Sequence, residues 1–248
     1  MRRPSRPALS LSEYWRHTRE APFNAVMVIF LLGLYEVGTI LTGNLARNAA
    51  DHALKRALGA AGEVAVPLFH VFLFTLVVAG LMTYWRRRES PLRYLVPFLL
   101  ECTVWAGLLA PVVLWIQEPF LSRAPAGDLV LDLGAGVYEE IVFRFGMIRI
   151  PIVLLRLDPW EAFEVERRTG RSGGWSLFLP LAVITLVSAL AFSAYHHVGE
   201  GADPLTGALF GFRFLAGLLL AALYFWRGLA VAVYTHAFYD ILIHLGAN

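Results

Sequence analysis

The sequence predicts an all-α membrane protein: one bundle of about seven transmembrane helices, with eight as the alternative count. Three observations carry this. Hydrophobic residues make up 58% of the 248-residue chain, and the mean hydropathy is +0.60. Charged residues make up 16%, against roughly 25% in soluble domains. The apolar residues fall in runs of about 20, the length a helix needs to cross a bilayer, and basic residues gather at the ends of those runs. The net charge of +2, with no broad basic patch, argues against a nucleic-acid partner. Cys102 is the only cysteine and lies in an apolar run, so it reads as a packing thiol and no intrachain disulfide framework exists.

Residues 1–21 form a basic polar N-terminal segment, with Arg2, Arg3, Arg6, Arg16 and Arg19 against Glu13 and Glu20. Residues 22–248 read as a single membrane-embedded helical domain, with a motif-bearing core at about 128–246. The first apolar run, at about 22–42, is long enough to span and is not followed by a small-residue cleavage pattern. It is therefore expected to be a retained helix rather than a signal peptide. Residues 44–62 alternate charge (Arg47, Asp51, Lys55, Arg56) with alanine and leucine, the pattern of a short interfacial helix.

Further spans are expected at about 64–85, ending at Arg86-Arg87-Arg88, and at about 92–116 and 129–155. A charged linker at 156–174 ends in Arg171-Ser172-Gly173-Gly174. The last three spans fall at about 175–197, 205–226 and 229–245, with Arg227-Gly228 breaking the final two apart. With seven spans, the N-terminus, Arg86–Arg88, the 156–174 linker and Arg227 share one side. The positive-inside rule then predicts a cytoplasmic N-terminus and an outward C-terminus. Arg47, Lys55, Arg56 and Arg123 dilute the contrast.

The 129–155 run contains Tyr138-Glu139-Glu140-Ile141-Val142-Phe143-Arg144. A charge at the bilayer centre costs about 2.5–3.5 kcal/mol on insertion scales, so three charges in six residues suit pairing or chemistry better than anchoring. Glu140 and Arg144 are four apart, on one helix face, and are expected to pair. Glu139 is rotated by about 100° from Glu140 and is free to act as a base. Gly134 and Gly136 allow a close helix approach or a break.

Two later spans supply partners. Phe192 and His196 share a face, as do His236 and Asp240. Together these groups suit activation of a water: Glu139 takes its proton, His196 holds it, and His236 with Asp240 steadies an oxyanion. The same donor set would also suit zinc. Ser188 and Ser193 are present, but nothing in the sequence places either as a nucleophile. Arg213, within the sixth span, is expected to make a structural ion pair; a site carboxylate or a substrate carboxylate is the alternative. Glu36, Glu101 and His70 read as buried pairs or cavity-lining groups, and His197 and His244 as interfacial.

These segments resemble the motifs of the CAAX-protease and bacteriocin-processing (CPBP) family of intramembrane endopeptidases. Glu139-Glu140-x-x-x-Arg144 resembles its E-E-x-x-x-R motif. Phe192-x-x-x-His196, preceded by Ser188-Ala189-Leu190, resembles F-x-x-x-H, and His236-x-x-x-Asp240 resembles H-x-x-x-N/D. Order and spacing agree from about residue 128 to 245.

The resemblance implies a membrane endopeptidase in which Glu139 and His196 activate water, Arg144 orients Glu140, and His236 and Asp240 form the oxyanion site. It implies a membrane-anchored or lipid-modified protein or peptide substrate, and the lipid bilayer as the protein's surroundings. Such enzymes are described as metal-dependent or glutamic; the glutamic reading, with no metal or other cofactor, is the expectation, and zinc is the alternative. Prenyl-protease relatives tend to carry Asn where this chain has Asp240. An ionised aspartate cannot donate to an oxyanion, so Asp240 must be protonated, orient His236 or bind metal. The expected location is a bacterial cytoplasmic membrane. The predicted topology puts His196 and Asp240 in the outer half of their spans, whereas prenyl-protease relatives are expected to work from the cytoplasm. A proton-coupled transporter and a non-catalytic membrane scaffold are the competing functions.

Overall fold

The computed structural model describes residues 9–43, 47–87, 89–117, 129–157, 174–198 and 202–246. Arg88, Arg123, the linker ending in Arg171-Ser172-Gly173 and the turn at 199–201 therefore lie outside the described residues. No strand occurs among the described residues.

Helix α1, Leu11–Arg19, opens where the Ser10 hydroxyl accepts the Glu13 amide at 3.2 Å, satisfying one of the free donors of a first turn. It buries Tyr14, His17 and Thr18 against the bundle. Tyr14 donates to Glu101, and His17 stacks on Tyr94 with ring centroids 4.8 Å apart. The N-terminal polar segment thus contains an amphipathic helix docked on the membrane domain.

Helix α2, Ala21–Leu41, starts with Pro22, whose missing N–H is harmless in a first turn. The interfacial helix expected at 44–62 is α3, Ala49–Ala60, capped by Asn48, whose Oδ1 accepts the Ala50 amide at 2.7 Å. Helices α4, Ala65–Arg87, and α5, Leu92–Gln117, follow.

The expected span at 129–155 is a composite. It comprises α6 (Leu129–Gly134), π-helical turns over Ala135–Glu139 and Ile141–Arg149, and α7 (Ile150–Leu154). Wide π turns are uncommon and concentrate at functional sites. Helices α8 (Gly174–Tyr195), α9 (Gly207–Arg227) and α10 (Leu229–Gly246) complete the chain. Between α9 and α10, Gly228 has φ +97° and lies against the Asn24 side chain, a conformation and a space that suit only glycine.

Among the described residues, five helices are long and apolar enough to cross a membrane: Ala21–Leu41, Ala65–Arg87, Leu92–Leu109, Leu177–Tyr195 and Gly207–Arg227. The protein is therefore an integral, multi-pass, all-α membrane protein. The two other expected spans do not meet that measure: Leu229–Leu245 is a shorter apolar helix, and the 129–154 stretch is broken by its changes of winding. Both carry the ionisable motif residues. The outer faces are apolar, as lipid contact requires; Leu68, Val71, Phe74 and Val78 along α4 are all exposed.

Four contacts set the register around the 129–154 stretch. Ser188 on α8 donates to the Phe143 carbonyl at 2.7 Å, and Phe143 meets Phe192 edge-on at 5.3 Å. On the other side, a Cβ at Gly136 would lie 2.7 Å from the Ala237 nitrogen and 2.8 Å from the Val233 oxygen of α10. Only glycine lets two helix backbones come this close. Gly134 is equally tight against Tyr35, with a Cβ there falling 2.4 Å from its ring.

Candidate active site

The close approach at Gly136 brings Glu139 and Glu140 opposite His236. The Nδ1 atom of His236 lies 2.9 Å from Glu140 Oε1, while Glu140 Oε2 is 3.1 Å from Arg144 Nε. The expected Glu140–Arg144 pair is thus present, and Glu140 uses its other oxygen to orient the imidazole. Arg144 is further fixed by donating to the Gly217 carbonyl at 3.2 Å and by stacking its guanidinium on Phe192, 4.7 Å from the ring centroid. Glu140 and Arg144 are 0% and 1% exposed. Such a charged pair is held only by mutual compensation, since either charge alone would be strongly unfavourable there.

Glu139 faces elsewhere. Its Oε2 lies 3.5 Å from His196 Nε2 and 3.9 Å from His236 Nε2, and accepts no hydrogen bond from any described residue. Its Oε1 receives a long hydrogen bond, 3.4 Å, from Asn48. His196 Nδ1 lies 2.8 Å from the Phe192 carbonyl, an acceptor, so that nitrogen carries a proton. In neutral His196 the Nε2 lone pair then points towards a carboxylate oxygen. Two acceptors converging at 3.5 Å define a place where one donor molecule bridges both.

Asp240 Oδ2 lies 3.5 Å from His236 Nε2, the nitrogen that faces this same space. Asp240 thus neighbours Nε2 of His236, and Glu140 holds Nδ1. Asp240 and His196 are the more open members, with side chains 20% and 15% exposed against 5% for Glu139 and His236.

All six expected residues, Glu139, Glu140, Arg144, His196, His236 and Asp240, are brought together. The serines are not available: Ser188 is bonded to the Phe143 carbonyl and Ser193 to the Phe210 carbonyl, each at 2.7 Å. Arg213 pairs with Asp203 at 2.8 Å, the structural role expected of it. His244, expected at the interface, is part-exposed and pairs with the buried Asp132 at 2.8 Å. Glu101 and Glu36 are indeed paired, with Arg227 and Lys55 respectively. Sequence reasoning missed Asn48, whose position before an interfacial helix signals a cap but gives no sign of a reach to Glu139.

The donors Glu139 Oε2, His196 Nε2, His236 Nε2 and Asp240 Oδ2 are of a type that binds zinc. Yet among the described residues no group of three or more His, Cys, Asp and Glu side chains converges as a metal-binding set.

Residues 125–242 match a family model described as "Type II CAAX prenyl endopeptidase Rce1-like". No curated protein and no solved structure matches the chain.

Proposed function

The match over residues 125–242 puts the chain in the Rce1-like family of CAAX-type intramembrane proteases, and from that premise we propose a glutamate-dependent endopeptidase. Its substrate is a membrane-anchored or lipid-modified protein. A water bridged between Glu139 and His196 attacks the scissile carbonyl carbon. Glu139 takes one proton from that water and later passes it to the leaving amine nitrogen, so the C–N bond breaks without a cofactor. The oxyanion formed on the way needs a donor from the opposite side. His236 donates to Glu140 through Nδ1, so serving the oxyanion through Nε2 requires it to be an imidazolium. Arg144 acts through Glu140 by fixing its position.

The observation that carries this reading is the unfilled Oε2 of Glu139, 3.5 Å from the Nε2 of His196. A structural ion cluster would spend that acceptor on a donor. The test is cleavage of membrane-protein termini, read by mass spectrometry, in proteoliposomes of the wild type and of Glu139→Gln and His196→Gln. Each variant is expected to lose activity about 10²–10⁴-fold while keeping its thermal unfolding temperature. Chelator treatment is expected to leave wild-type cleavage unchanged; stoichiometric zinc with chelator-sensitive activity would replace the glutamate mechanism by a metal one.

The topology belongs to the same proposal. Seven alternating passes put the exposed edge of the site at the bundle end opposite Arg86 and Arg87, hence outward by the positive-inside rule in a bacterial cytoplasmic membrane. Val198→Cys and Leu245→Cys, both at exposed positions, report on this. Labelling of both only from the cytoplasmic face would overturn the outward opening.

A further inference from the structure

Tyr35 lies on α2, outside the residues matched by the family model, and is fully buried. A buried phenol needs hydrogen-bond partners, and Tyr35 has two. Its hydroxyl donates to Asp51 Oδ2 at 2.8 Å and accepts the backbone N–H of Asn48 at 3.0 Å. Its ring is held in turn by the 129–154 stretch. A Cβ at Gly134 would fall 2.4 Å from the Tyr35 ring, and the Tyr138 ring crosses it with centroids 5.4 Å apart.

Asp51 is also fully buried, and Arg47 and Lys55 compensate it, each at 2.7 Å. Lys55 reaches on to Glu36 at 3.1 Å, and Glu36 accepts from Tyr138, the residue before Glu139, at 2.6 Å. The ring of contacts thus closes from α2 through α3 to the segment that carries Glu139. Asn48 sits where it meets the site. Its Oδ1 is spent on the Ala50 amide at 2.7 Å, which leaves Nδ2, a donor, to face Glu139 Oε1 at 3.4 Å. Gly134 seats this residue as well, since a Cβ there would lie 2.8 Å from the Asn48 Cβ.

We propose that Tyr35 is a positioning residue of the active site: its hydroxyl fixes the backbone of Asn48, and Asn48 holds Oε1 of Glu139 so that Oε2 stays turned to His196. The terminal torsion of a glutamate is broad, so a donor on one oxygen sets the direction of the other. Proton transfer from water depends on that direction. The proposal rests on the protease reading and extends its site to α2 and α3, beyond residues 125–242. A purely structural Tyr35 would affect stability and leave the rate of each folded molecule alone.

The test compares Tyr35→Phe with Tyr14→Phe in the full chain in proteoliposomes. Each removes one hydroxyl that donates to a carboxylate, Asp51 in the first case and Glu101 in the second. The probe is the membrane protein whose terminus the wild type cuts and Glu139→Gln does not, with rates normalised to folded protein. Tyr35→Phe is expected to lower kcat about tenfold, the effect of one lost hydrogen bond, with KM unchanged. Tyr14→Phe is expected to leave kcat unchanged. The double variant Tyr35→Phe/Asn48→Ser should lose about tenfold in all rather than the product of two losses, because one path carries both. An unchanged kcat in Tyr35→Phe, an equal fall in Tyr14→Phe, or full additivity in the double variant would overturn the proposal. Cleavage that survives Glu139→Gln removes the protease reading and this proposal together, whereas cleavage that needs Glu139 and ignores Tyr35 removes this proposal alone. Should Tyr35→Phe not fold, Asp51→Asn takes its place. It weakens the acceptor of the Tyr35 hydroxyl at constant size, and an unchanged kcat there is equally decisive against the proposal.

Discussion

Glu101 and Glu139 are both glutamates inside an apolar bundle, and they are treated in opposite ways. Glu101 has both oxygens filled: Oε1 accepts from Arg227 Nε at 2.6 Å and Trp105 at 3.3 Å, and Oε2 accepts from Arg227 Nη2 at 2.8 Å and from Tyr14. Arg227 Nη2 also donates to Thr18 at 2.9 Å, and the guanidinium lies over the face of Trp15, 4.2 Å away. Glu139 is the less exposed of the two side chains, 5% against 14%, yet it keeps one oxygen without a donor. Burial normally demands the reverse. Under the proposed mechanism, the difference separates a charge that ties helices together from one held ready for another molecule.

The sharpest way to break this comparison is to neutralise Glu139 and, separately, to remove the cation that pairs with Glu101. Glu139→Gln is expected to remove cleavage activity by several orders of magnitude and leave unfolding almost unchanged. Arg227→Met leaves Glu101 without its guanidinium and is expected to destabilise by about 3–5 kcal/mol, with normal activity per folded molecule. Thermal unfolding and specific activity on the same preparations check both; equal stability losses at the two sites would erase the distinction.

Gly136→Ala comes next. The new methyl would meet backbone atoms of Val233 and Ala237 at 2.7–2.8 Å, so α10 must move and carry His236 off Glu140. A stability loss of about 1–3 kcal/mol and a disproportionate fall in kcat are expected. Asn48→Ser is milder. Serine caps α3 about as well as asparagine but is too short to reach Glu139, so activity should fall roughly tenfold with little change in unfolding. Asn48→Ala, which also loses the cap, should add about 1 kcal/mol of destabilisation.

The smallest effect concerns pH. Burial acts to raise the Asp51 carboxyl, but hydrogen bonds from Lys55, Tyr35 and Arg47 outweigh it and hold it below the ordinary carboxylate range. Its contribution is therefore complete above an unfolded value of about 3.9 and is lost as pH falls through the lower folded value. Unfolding temperatures followed from pH 6 to pH 3 should drop at the acid end for the wild type, and less steeply for Asp51→Asn.

Local spacing made the motif residues legible. Glu140 and Arg144 share a face, as do Phe192 and His196, and charges in an apolar run must find partners somewhere. Partners distant in the chain were not legible. Arg227 and Glu101 are 126 positions apart, Asn48 and Glu139 are 91 apart, and Glu140 and His236 are 96 apart. No periodicity encodes such pairs, because helix packing chooses them. The regular helix expected at 129–155 also failed to foresee the π-helical turns, since winding depends on what the neighbouring helices press against it. Among the described residues, five of the seven expected spans have the length and apolarity of a membrane-crossing helix, and the two that fall short are those that carry the motif carboxylates and His236.

The contact at Gly136 has a kinetic consequence. Backbone meets backbone there, so the wall formed by Glu139, Glu140 and His236 has no compressible side-chain layer behind it. The opposite wall rests on side-chain contacts instead: α8 leads to His196 through Phe192, which meets Phe143 edge-on, and through the Ser188 hydroxyl on the Phe143 carbonyl. Under the proposed protease mechanism, admission and release of the peptide are expected to fall to α8, with a turnover time set by how fast that helix yields in its lipid. Bilayer thickness and fluidity should change the waiting time between cuts and leave the geometry of each cut untouched.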